Sequence, residues 1–392
     1  MANTMHRSGR HFLQIPGPTN VPDRVLRAIA QPTIDHRGPD FASLTREVLD
    51  GLKGVFRTAG PVVVFSAGGT GAWEAALVNT LSPGDRVLAF DIGEFARLWS
   101  ELAKRLGFEA DVVPGDWRRG VEPEVVESKL VADRDRRIRA VLVVHNETST
   151  GVTSRLAAIR QAIDRAGHPA LLLVDAVSSL GSIELRHDEW GLDVTVAGSQ
   201  KGLMLPPGLS FNAIGERALA ASRSSRAPKS YWAWDAIIES NASGFFPSTP
   251  STNLLFGLRE ALRMLNEEGL EQVFARHRRL AEAVRGAVRA WGLEIACRSA
   301  EESSSVVTTV MMPEGHDADR VRQIALQRFS LSLGAGLGRL KGRAFRIGHL
   351  GDFNELMLAG TLCGVEMALA LARVPFRRGG VEAALSSLSG QD

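Results

Sequence analysis

Lys201 stands alone in a long uncharged stretch. It lies in Val196-Ala197-Gly198-Ser199-Gln200-Lys201-Gly202-Leu203, and no other ionisable side chain occurs between Asp193 and Glu216. Such isolation removes water from an ammonium group and lowers its pKa, which makes the amine a nucleophile for a carbonyl carbon. A surface lysine on a loop would show the same spacing, so the lysine alone does not decide between the two interpretations.

Asp175 closes the apolar run Leu173-Val174-Asp175-Ala176. A carboxylate at the end of a strand often caps a helix or forms a turn. Its alternative role is to pair with a pyridinium nitrogen. The negative charge then keeps the ring protonated, so that the ring can accept electrons from a carbanion.

A glycine-rich turn, Ser66-Ala67-Gly68-Gly69-Thr70-Gly71-Ala72-Trp73, separates a predicted strand from a predicted helix. Glycines let the backbone approach a phosphate, and the helix that follows presents free N–H groups and the positive end of its dipole. The turn is not a Walker A loop, because no G-K-[ST] follows. It is not the dinucleotide pattern either, because Glu74 occupies the last glycine position. A tight turn without a ligand is the alternative.

Arg346 lies in the apolar segment Phe345-Arg346-Ile347-Gly348-His349. A planar guanidinium binds a carboxylate through two parallel hydrogen bonds, which lysine cannot do. A salt bridge between domains is the alternative. Taken together, a reactive lysine, a pyridinium partner, a phosphate-binding turn and a carboxylate-binding arginine are the parts of a pyridoxal 5′-phosphate (PLP) site.

The pattern of apolar residues predicts the elements that hold these groups. Between about residues 60 and 215, short β-branched runs alternate with amphipathic segments, as expected when helices cross over between parallel strands. The predicted strands are 62–65, 86–90, 110–113, 140–145, 171–176, 194–197 and 209–214, and the predicted helices include 72–81, 94–106 and 156–165. Because parallel sheets bind ligands at the carboxyl ends of their strands, chemistry is expected just after these strands.

Residues 254–291 show helical spacing, and short strands (306–311, 344–347) and helices (318–328, 354–372) follow. We therefore predict an α/β fold, with a large domain built on a mainly parallel seven-stranded sheet between helices and a smaller C-terminal α+β domain. The predicted boundaries are 1–20 for an N-terminal arm, 21–275 for the large PLP-binding domain and 276–392 for the small domain. The tail, residues 379–392, is small and polar, and we expect it to fray.

Composition excludes several classes of function. A formal net charge of +2 provides no field for a polyanion, so we expect no nucleic-acid partner. Cys297 and Cys363 form no C-x-x-C motif, which leaves no disulfide framework and no thiolate zinc site. His187-Asp188-Glu189 and His145-Asn146-Glu147 lack the H-E-x-x-H spacing, so no metal site is predicted.

The cellular location is also constrained by the sequence. The first dozen residues contain no apolar run, so we expect no secretory signal. The longest apolar stretch, residues 356–372, contains Glu366 and is short for a membrane span, which favours a buried helix. The last residues, Ser389-Gly390-Gln391-Asp392, are not a peroxisomal S-K-L signal, and a cytoplasmic location is expected.

Several motifs resemble those of class V, fold-type I aminotransferases. They are Gly198-Ser199-Gln200-Lys201 with Pro206-Pro207-Gly208, Val174-Asp175 with Ser178-Ser179, and the opening Pro16-Gly17-Pro18-Thr19-Asn20. Within that family, the segments His145-Asn146-Glu147-Thr148-Ser149-Thr150-Gly151-Val152 and Phe345-Arg346-Ile347-Gly348-His349-Leu350-Gly351 are most similar to serine-glyoxylate and alanine-glyoxylate aminotransferases. The resemblance extends over about residues 12–384, in order and without large gaps.

The resemblance implies a role for each matching residue. Lys201 would form the Schiff base with PLP and carry the proton, Asp175 would pair with the pyridinium nitrogen, and Phe95 would stack on the ring. Thr148 would lie close to the ring, and Arg346 would bind the substrate α-carboxylate with backbone near Gly17. The implied phosphate ligands are Gly69, Thr70, Gly71, Ser199 and Gln200, with Thr249 reaching the phosphate of a neighbouring subunit. The functional unit would then be a homodimer with shared active sites, or a tetramer of such dimers.

The chain departs from the family pattern at two positions. Relatives commonly have serine where Gly68 stands and tyrosine where Ser248 stands. The loss of two hydroxyl-bearing side chains near the phosphate is expected to weaken phosphate binding or to reshape the donor pocket.

The resemblance implies a ping-pong transaminase that moves the amino group of L-serine, or of L-alanine, to glyoxylate. The products are glycine and hydroxypyruvate, or pyruvate. Three alternatives stay open: the same scaffold with aspartate or ureidoglycine as donor, a PLP-dependent lyase or desulfurase, and a binding protein that keeps the fold without chemistry. A desulfurase needs a mobile nucleophilic cysteine, and Cys297 and Cys363 are expected in core elements.

Overall fold

The computed structural model describes residues 9–390 of the 392-residue chain. The first part of the predicted N-terminal arm, most of the segment tested for a secretory signal and the last two residues therefore lie outside the described residues. The strands are β1 (Phe12–Gln14), β2 (Val62–Phe65), β3 (Arg86–Phe90), β4 (Glu109–Val113), β5 (Ile138–Val144), β6 (Asn146–Glu147), β7 (Val152–Thr153), β8 (Leu171–Asp175), β9 (Val194–Gly198), β10 (Ser210–Ile214), β11 (Glu294–Ile295), β12 (Val307–Met311), β13 (Leu331–Ala335) and β14 (Ala344–Gly348).

The helices connect and cover these strands. They are α1 (Asp23–Ile29), α2 (Pro39–Phe56), α3 (Gly69–Thr80), α4 (Glu94–Arg105), α5 (Pro123–Ala132), α6 (Leu156–Arg165), α7 (Glu216–Ser222), α8 (Trp234–Ala242), α9 (Thr252–Glu268), α10 (Leu270–Ala290), α11 (Ala318–Phe329), α12 (Glu355–Leu371) and α13 (Gly380–Ser389), with one turn of 3₁₀-helix at Gly338–Leu340.

The larger sheet has seven strands in the order β2-β10-β9-β8-β5-β3-β4. Only β10 runs antiparallel to its neighbours. These are the seven strands predicted from the apolar runs, and the mainly parallel α/β fold is confirmed. The residues of β8 are all buried, because helices cover both faces of the sheet.

Two neighbouring strands of this sheet bring the predicted chemical groups together. Asp175 is the last residue of β8, and Lys201 follows β9 by three residues. Since β8 and β9 pair in parallel, their carboxyl ends lie at the same edge. The sheet therefore places the carboxylate and the amine side by side.

Helix α4 packs one face against the larger sheet. Its buried residues, Ala96, Trp99, Ser100 and Ala103, recur at spacings of three and four, so a single face packs on the sheet. Glu94 in the first turn, and Lys104 and Arg105 in the last, match the helix dipole.

A second sheet of five strands has the order β1-β13-β14-β12-β11. Its edge strand β1 comes from the predicted N-terminal arm and pairs in parallel with β13, Phe12 opposite Leu331. One hydrophobic core ends at Val273, and a second begins at Leu280. Both residues belong to α10, so the boundary predicted at residue 275 falls inside a continuous helix. We propose that the two cores mark the two domains, and that the arm joins the smaller one.

The prediction of a frayed tail is wrong for residues 380–389, which form α13. Ala384 is buried in the second core, and the backbone of Gly380 lies so close to the Trp291 indole that any side chain there would overlap it. The apolar positions Val381, Ala384 and Leu388 follow helical spacing, which explains the packing. No helix within residues 9–390 is both long enough and apolar enough to cross a bilayer.

Candidate active site

A cavity of about 190 Å³ opens at the carboxyl edge of β8 and β9. Most of the predicted site residues line it: Gly17, Gly69, Thr70, Phe95, Thr148, Asp175, Gln200 and Lys201. Gly71, Ser199, Thr249 and Arg346 do not line it. The structure thus gathers residues from six separate parts of the sequence around one space.

Lys201 is buried at the base of this cavity, with 8% of its surface exposed. Its Nζ donates a hydrogen bond to the carbonyl oxygen of Pro16. Burial lowers the pKa of the lysine to about 8, helped by the positive charge of Arg346 and opposed by Asp175. More of the amine is therefore deprotonated and nucleophilic near neutral pH than at an ordinary lysine, as the isolation of the lysine in the sequence predicts.

The loop that carries Lys201 is held by the N-terminal segment. The N–H of Thr19 donates to the carbonyl of Gln200 at 3.1 Å, and the Thr19 hydroxyl donates to the carbonyl of Lys201 at 3.3 Å. Gly17, with φ +103°, lies against the lysine side chain, and a Cβ at this position would come within 2.6 Å of Nζ. Only glycine combines this backbone conformation with this close approach.

Asp175 is buried, with 4% of its surface exposed. Its Oδ1 accepts a 2.7 Å hydrogen bond from the N–H of Val177. Burial raises the pKa of the carboxyl group to about 7, and the carboxyl group of Glu147 adds to the rise. The indole Nε1 of Trp73 is buried without a hydrogen-bond partner, although it faces Asp175 closely enough to lower that pKa. An additional positive group beside Asp175 would stabilise its charged form.

The glycine-rich turn supplies the start of α3. Gly68 is the N-cap residue, and no side chain caps the helix, so the first N–H groups face the cavity edge without a side-chain acceptor. At Gly69 a Cβ would come within 2.8 Å of a methyl group of Val177, whereas at Gly68 it would meet nothing within 4 Å. The structure thus presents the free N–H groups of a helix start at the cavity edge, with open space at Gly68.

Gln200 and Ser199 have different surroundings. The Oε1 atom of Gln200 is buried without a hydrogen-bond partner among the described residues. The Ser199 hydroxyl donates to the carbonyl of Pro206 at 2.8 Å and accepts from the N–H of Leu209 at 3.2 Å. Ser199 therefore fixes the loop after β9. Thr249 is exposed, and its predicted contact with a neighbouring subunit stays a prediction.

Arg346 is a buried cation without a carboxylate partner in the described part of the chain. It lies in β14, 7% exposed, and donates from Nε to the carbonyl of Ala335 at 2.7 Å and from Nη1 to the carbonyl of Thr148 at 2.9 Å. Burial lowers the pKa of the guanidinium to about 10. The alternative of a salt bridge between domains is therefore wrong, and the unpaired charge beside Thr148 suits a substrate carboxylate.

Sequence reasoning gave no role in the site to several lining residues: Pro18, Trp73, Val177, Ser178 and Pro207. Trp73 lies one helical turn after Gly69, so the helix that starts at the glycine-rich turn carries it to the same side. Val177 follows Asp175 by two residues and lies against Gly69. Ser178 accepts hydrogen bonds from Asn146 at 2.8 Å and from Thr148 at 3.1 Å, which orders the cavity edge. Spacing after the predicted strand end was the available signal for Val177 and Ser178.

Comparison with known proteins identifies the family. The model of the aminotransferase class-V family matches residues 11–336. The chain belongs to the class-V aminotransferases. This class-V aminotransferase is 50% identical over 387 residues to the serine–glyoxylate aminotransferase of Methylorubrum extorquens, covering 97% of this chain and 96% of the relative. It is 44% identical to the L-aspartate–glyoxylate aminotransferase of Paracoccus denitrificans, covering 94% of each chain.

A solved structure also matches this class-V aminotransferase over almost its whole length. The ureidoglycine–glyoxylate aminotransferase of Bacillus subtilis superposes with a TM-score of 0.90 at 28% identity, covering 98% of this chain and all of that one. The predicted fold-type I architecture and the prediction of a PLP-dependent aminotransferase are confirmed. The substrates of this class-V aminotransferase are amino acids and 2-oxo acids.

The cofactor of this class-V aminotransferase is PLP, and the residues present fit it. PLP needs an amine for its aldehyde and a carboxyl group for its ring nitrogen. The cavity offers both: the buried amine of Lys201, whose pKa is lowered, and the buried carboxyl group of Asp175. The uncapped start of α3 provides N–H donors at the cavity edge, which suit an anionic phosphate. The side chains of Phe95 and Val177 supply the apolar walls.

Proposed function

We propose that this chain transfers the amino group of L-serine, or of L-alanine, to glyoxylate. Glycine and hydroxypyruvate, or pyruvate, are the products. The observation that carries the proposal is the unpaired guanidinium of Arg346, bonded to the carbonyl of Thr148 at the edge of the cavity that holds Lys201. A substrate with an α-carboxylate can bind there while its amine reaches the lysine side of the cavity. The 50% identical serine–glyoxylate aminotransferase supports this choice of donor and acceptor.

We assign the roles as follows. When bound, PLP supplies an aldehyde carbon for the amine and a ring that takes up electron density from the substrate Cα. The Lys201 amine, with its pKa lowered to about 8, takes the proton from Cα and returns it at the cofactor carbon. Asp175 keeps the ring nitrogen protonated, and Arg346 holds the α-carboxylate. Gly69, Thr70 and Gln200 would hold the phosphate, and Phe95 and Thr148 would lie beside the ring. The phosphate contacts of Gly71 and Ser199 stay predictions.

The donor is the least constrained part of the proposal. A missing methylene costs only about 1–3 kcal/mol of discrimination, so small amino acids are expected to share the site. Aspartate is the second candidate, because the L-aspartate–glyoxylate aminotransferase is 44% identical. Ureidoglycine is the third, from the solved structure of the Bacillus subtilis enzyme.

A panel of amino donors tests the proposal. PLP-loaded protein is mixed with serine, alanine, aspartate or ureidoglycine, and glycine formed from glyoxylate is measured. We expect the highest kcat/KM with serine and no turnover by Lys201→Ala. If glycine formed fastest from aspartate, aspartate would replace serine as the proposed donor. If no donor gave glycine, the proposal would be overturned. Borohydride reduction followed by peptide mapping should place the cofactor on Lys201.

A desulfurase is not supported by the cysteines. Cys297 is buried, its thiol donates to the carbonyl of Ser299 at 3.2 Å, and burial raises its pKa. Cys363 is exposed on α12, which corrects the expectation that both cysteines lie in the core. Neither lines the cavity. Sulfide release from cysteine would revive this alternative.

We further propose a homodimer in which Thr249 reaches the phosphate of the partner subunit, and a cytoplasmic location. The exposure of Thr249 supports the first part, because its side chain is free to meet a second chain. Mixing Lys201→Ala with Thr249→Ala subunits tests the sharing. Hybrid dimers should regain one intact site, whereas equal activity of Thr249→Ala and wild type would contradict the assignment.

A further inference from the structure

Glu147 is a fully buried carboxyl group without a cationic partner among residues 9–390. The buried carboxylate of Asp193 is compensated differently, since it lies 3.6 Å from Arg160 and 3.5 Å from Arg217. Burying an unpaired charge is costly unless hydrogen bonds compensate it. The location of those hydrogen bonds therefore indicates what Glu147 does.

The carboxyl group bonds to the first turn of α4. Oε2 accepts from the N–H of Ala96 at 3.0 Å, and Oε1 accepts from the N–H of Ser149 at 3.0 Å and from its hydroxyl at 2.6 Å. The Ser149 hydroxyl in turn accepts from the N–H of Glu94 at 3.0 Å. Together Glu147 and Ser149 satisfy N–H groups at the helix start that would otherwise lack partners, at the positive end of the dipole.

Gly93 makes this arrangement possible. It precedes α4, and a Cβ built there would overlap the side chain of Glu147 and come within 2.7 Å of the Ser149 hydroxyl. The backbone of Gly93 is extended, so the requirement for glycine is one of space. The helix start and the carboxyl group are thus fitted directly against each other.

The anchored helix turn carries one wall of the cavity. Phe95 lies between Glu94 and Ala96, whose N–H groups are both held, and its ring lines the cavity. Thr148, the neighbour of Glu147 in the chain, also lines the cavity and accepts the hydrogen bond of Arg346. Burial raises the pKa of Glu147 itself, and the same carboxyl group adds to the rise in the pKa of Asp175 and opposes the lowering of the pKa of Arg346.

We propose that Glu147 is a positioning residue for the PLP site: it fixes the first turn of α4, and through it the ring of Phe95. Glu147 does not line the cavity and touches neither reacting group. Its effect is transmitted through Phe95. This inference rests on the proposed cofactor site.

The test is a double-mutant cycle on PLP affinity. Cofactor-free wild type, Glu147→Gln, Phe95→Leu and the double variant are titrated with PLP, and tryptophan fluorescence gives each Kd. Glutamine keeps the side-chain length but presents an N–H₂ group to one of the backbone donors. We expect each single variant to bind on the order of 10-fold more weakly, and the double variant to bind no more weakly than the worse single variant. If the double variant instead weakened PLP binding by the product of the two single effects, the two residues would act independently, and the proposal that Glu147 acts through Phe95 would be wrong.

A spectroscopic measurement separates positioning from general stability. At saturating PLP, the visible circular dichroism of Glu147→Gln should fall in amplitude, because the ring is less fixed. Asp193→Asn is the matched control: it alters a buried carboxyl group at the opposite edge of the same sheet and should lower the Tm without changing Kd or dichroism. Unchanged Kd and dichroism in folded Glu147→Gln would overturn the proposal.

If Glu147→Gln fails to fold, Ser149→Ala replaces it. That variant keeps the carboxylate but removes the hydroxyl between Glu147 and Glu94, and PLP should bind about threefold more weakly. An unchanged Kd would contradict the proposal. Failure of the wild-type chain to bind PLP would instead overturn the proposed function, so the two failures are distinguishable.

Discussion

The side chain of Lys201 lies directly on the backbone of Gly17, and its amine donates to the carbonyl of the preceding residue, Pro16. The N-terminal segment is therefore part of the lysine's surroundings. The amine is held in place by a backbone atom 185 residues earlier in the chain. This contact makes the opening Pro-Gly-Pro segment a direct determinant of where the nucleophile points.

Gly17→Ala should abolish most activity. The new methyl group would come within 2.6 Å of Nζ and displace the lysine, and misplacing a reacting group by about 1 Å costs on the order of 100-fold in rate. Gly84→Ala is the matched control, because Gly84 also has a positive φ, of +86°, but nothing within 4 Å. Both variants should lose similar stability in urea unfolding. Equal activities of the two variants would show that the contact is unimportant.

Asp175 should make the cofactor-free protein less stable as the pH rises. Its pKa is raised from 3.8 to about 7, so between these values the folded chain holds a proton that the unfolded chain has lost. This contribution is full at low pH and is lost as the pH passes through about 7, changing by about 1.4 kcal/mol per pH unit in that window. Asp175→Asn removes it. Relative to wild type, the variant should gain stability between pH 5 and pH 8 in urea titrations, and a relative loss would contradict the assignment.

Arg346→Ala should raise KM for every α-amino acid and for the acceptor. Two charge-assisted hydrogen bonds to a carboxylate contribute about 3 kcal/mol, which corresponds to roughly a 100-fold rise in KM. Arg346→Lys keeps the charge but cannot form both bonds, so it should fall between Ala and wild type. Initial rates against donor concentration give these values. A fall in kcat with an unchanged KM would exclude carboxylate binding by Arg346.

Gly68→Ser should strengthen PLP binding. A Cβ at this position meets nothing within 4 Å, and the residue is the N-cap of α3, where serine is a favoured capping residue. We expect a several-fold lower Kd for PLP and a slight rise in Tm. Gly54→Ser is the control, since Gly54 also has open space but lies in α2, away from the site. Equal Kd values for Gly68→Ser and wild type would show that the hydroxyl does not reach the phosphate.

The sequence predicted those parts of the fold that local pattern specifies. The central strands were found because runs such as Leu171-Leu172-Leu173-Val174 need cover on both faces, and a buried strand shows this in its composition. Strand β1 was missed, because its pairing with Leu331–Ala335 joins opposite ends of the chain and no local signal records such a register. The frayed tail was predicted from polarity alone, whereas the spacing of Val381, Ala384 and Leu388 already indicated a helix.

The site was predictable in its chemistry and less so in its support. Lys201, Asp175 and Arg346 have side chains whose reactivity is evident from type and context. Glu147 was given no role, because its hydrogen-bond acceptor role depends on α4 lying beside it. Ser199 was expected to bind the phosphate, but its hydroxyl forms hydrogen bonds within its own loop. The spacing of residues in the sequence does not reveal such bonds.

The edge position of β1 has a mechanical consequence. Pro16 packs against Gly334 of β13, and Ile15 lies against Gly348 of β14, the strand that carries Arg346. The Pro16 carbonyl and the Arg346 guanidinium therefore both lie on the five-stranded sheet, whereas Lys201 follows a strand of the seven-stranded sheet. Any change in the angle between the two sheets would move both groups relative to Lys201 at once. Binding of the substrate carboxylate and the hydrogen bond that holds the lysine amine would then change together.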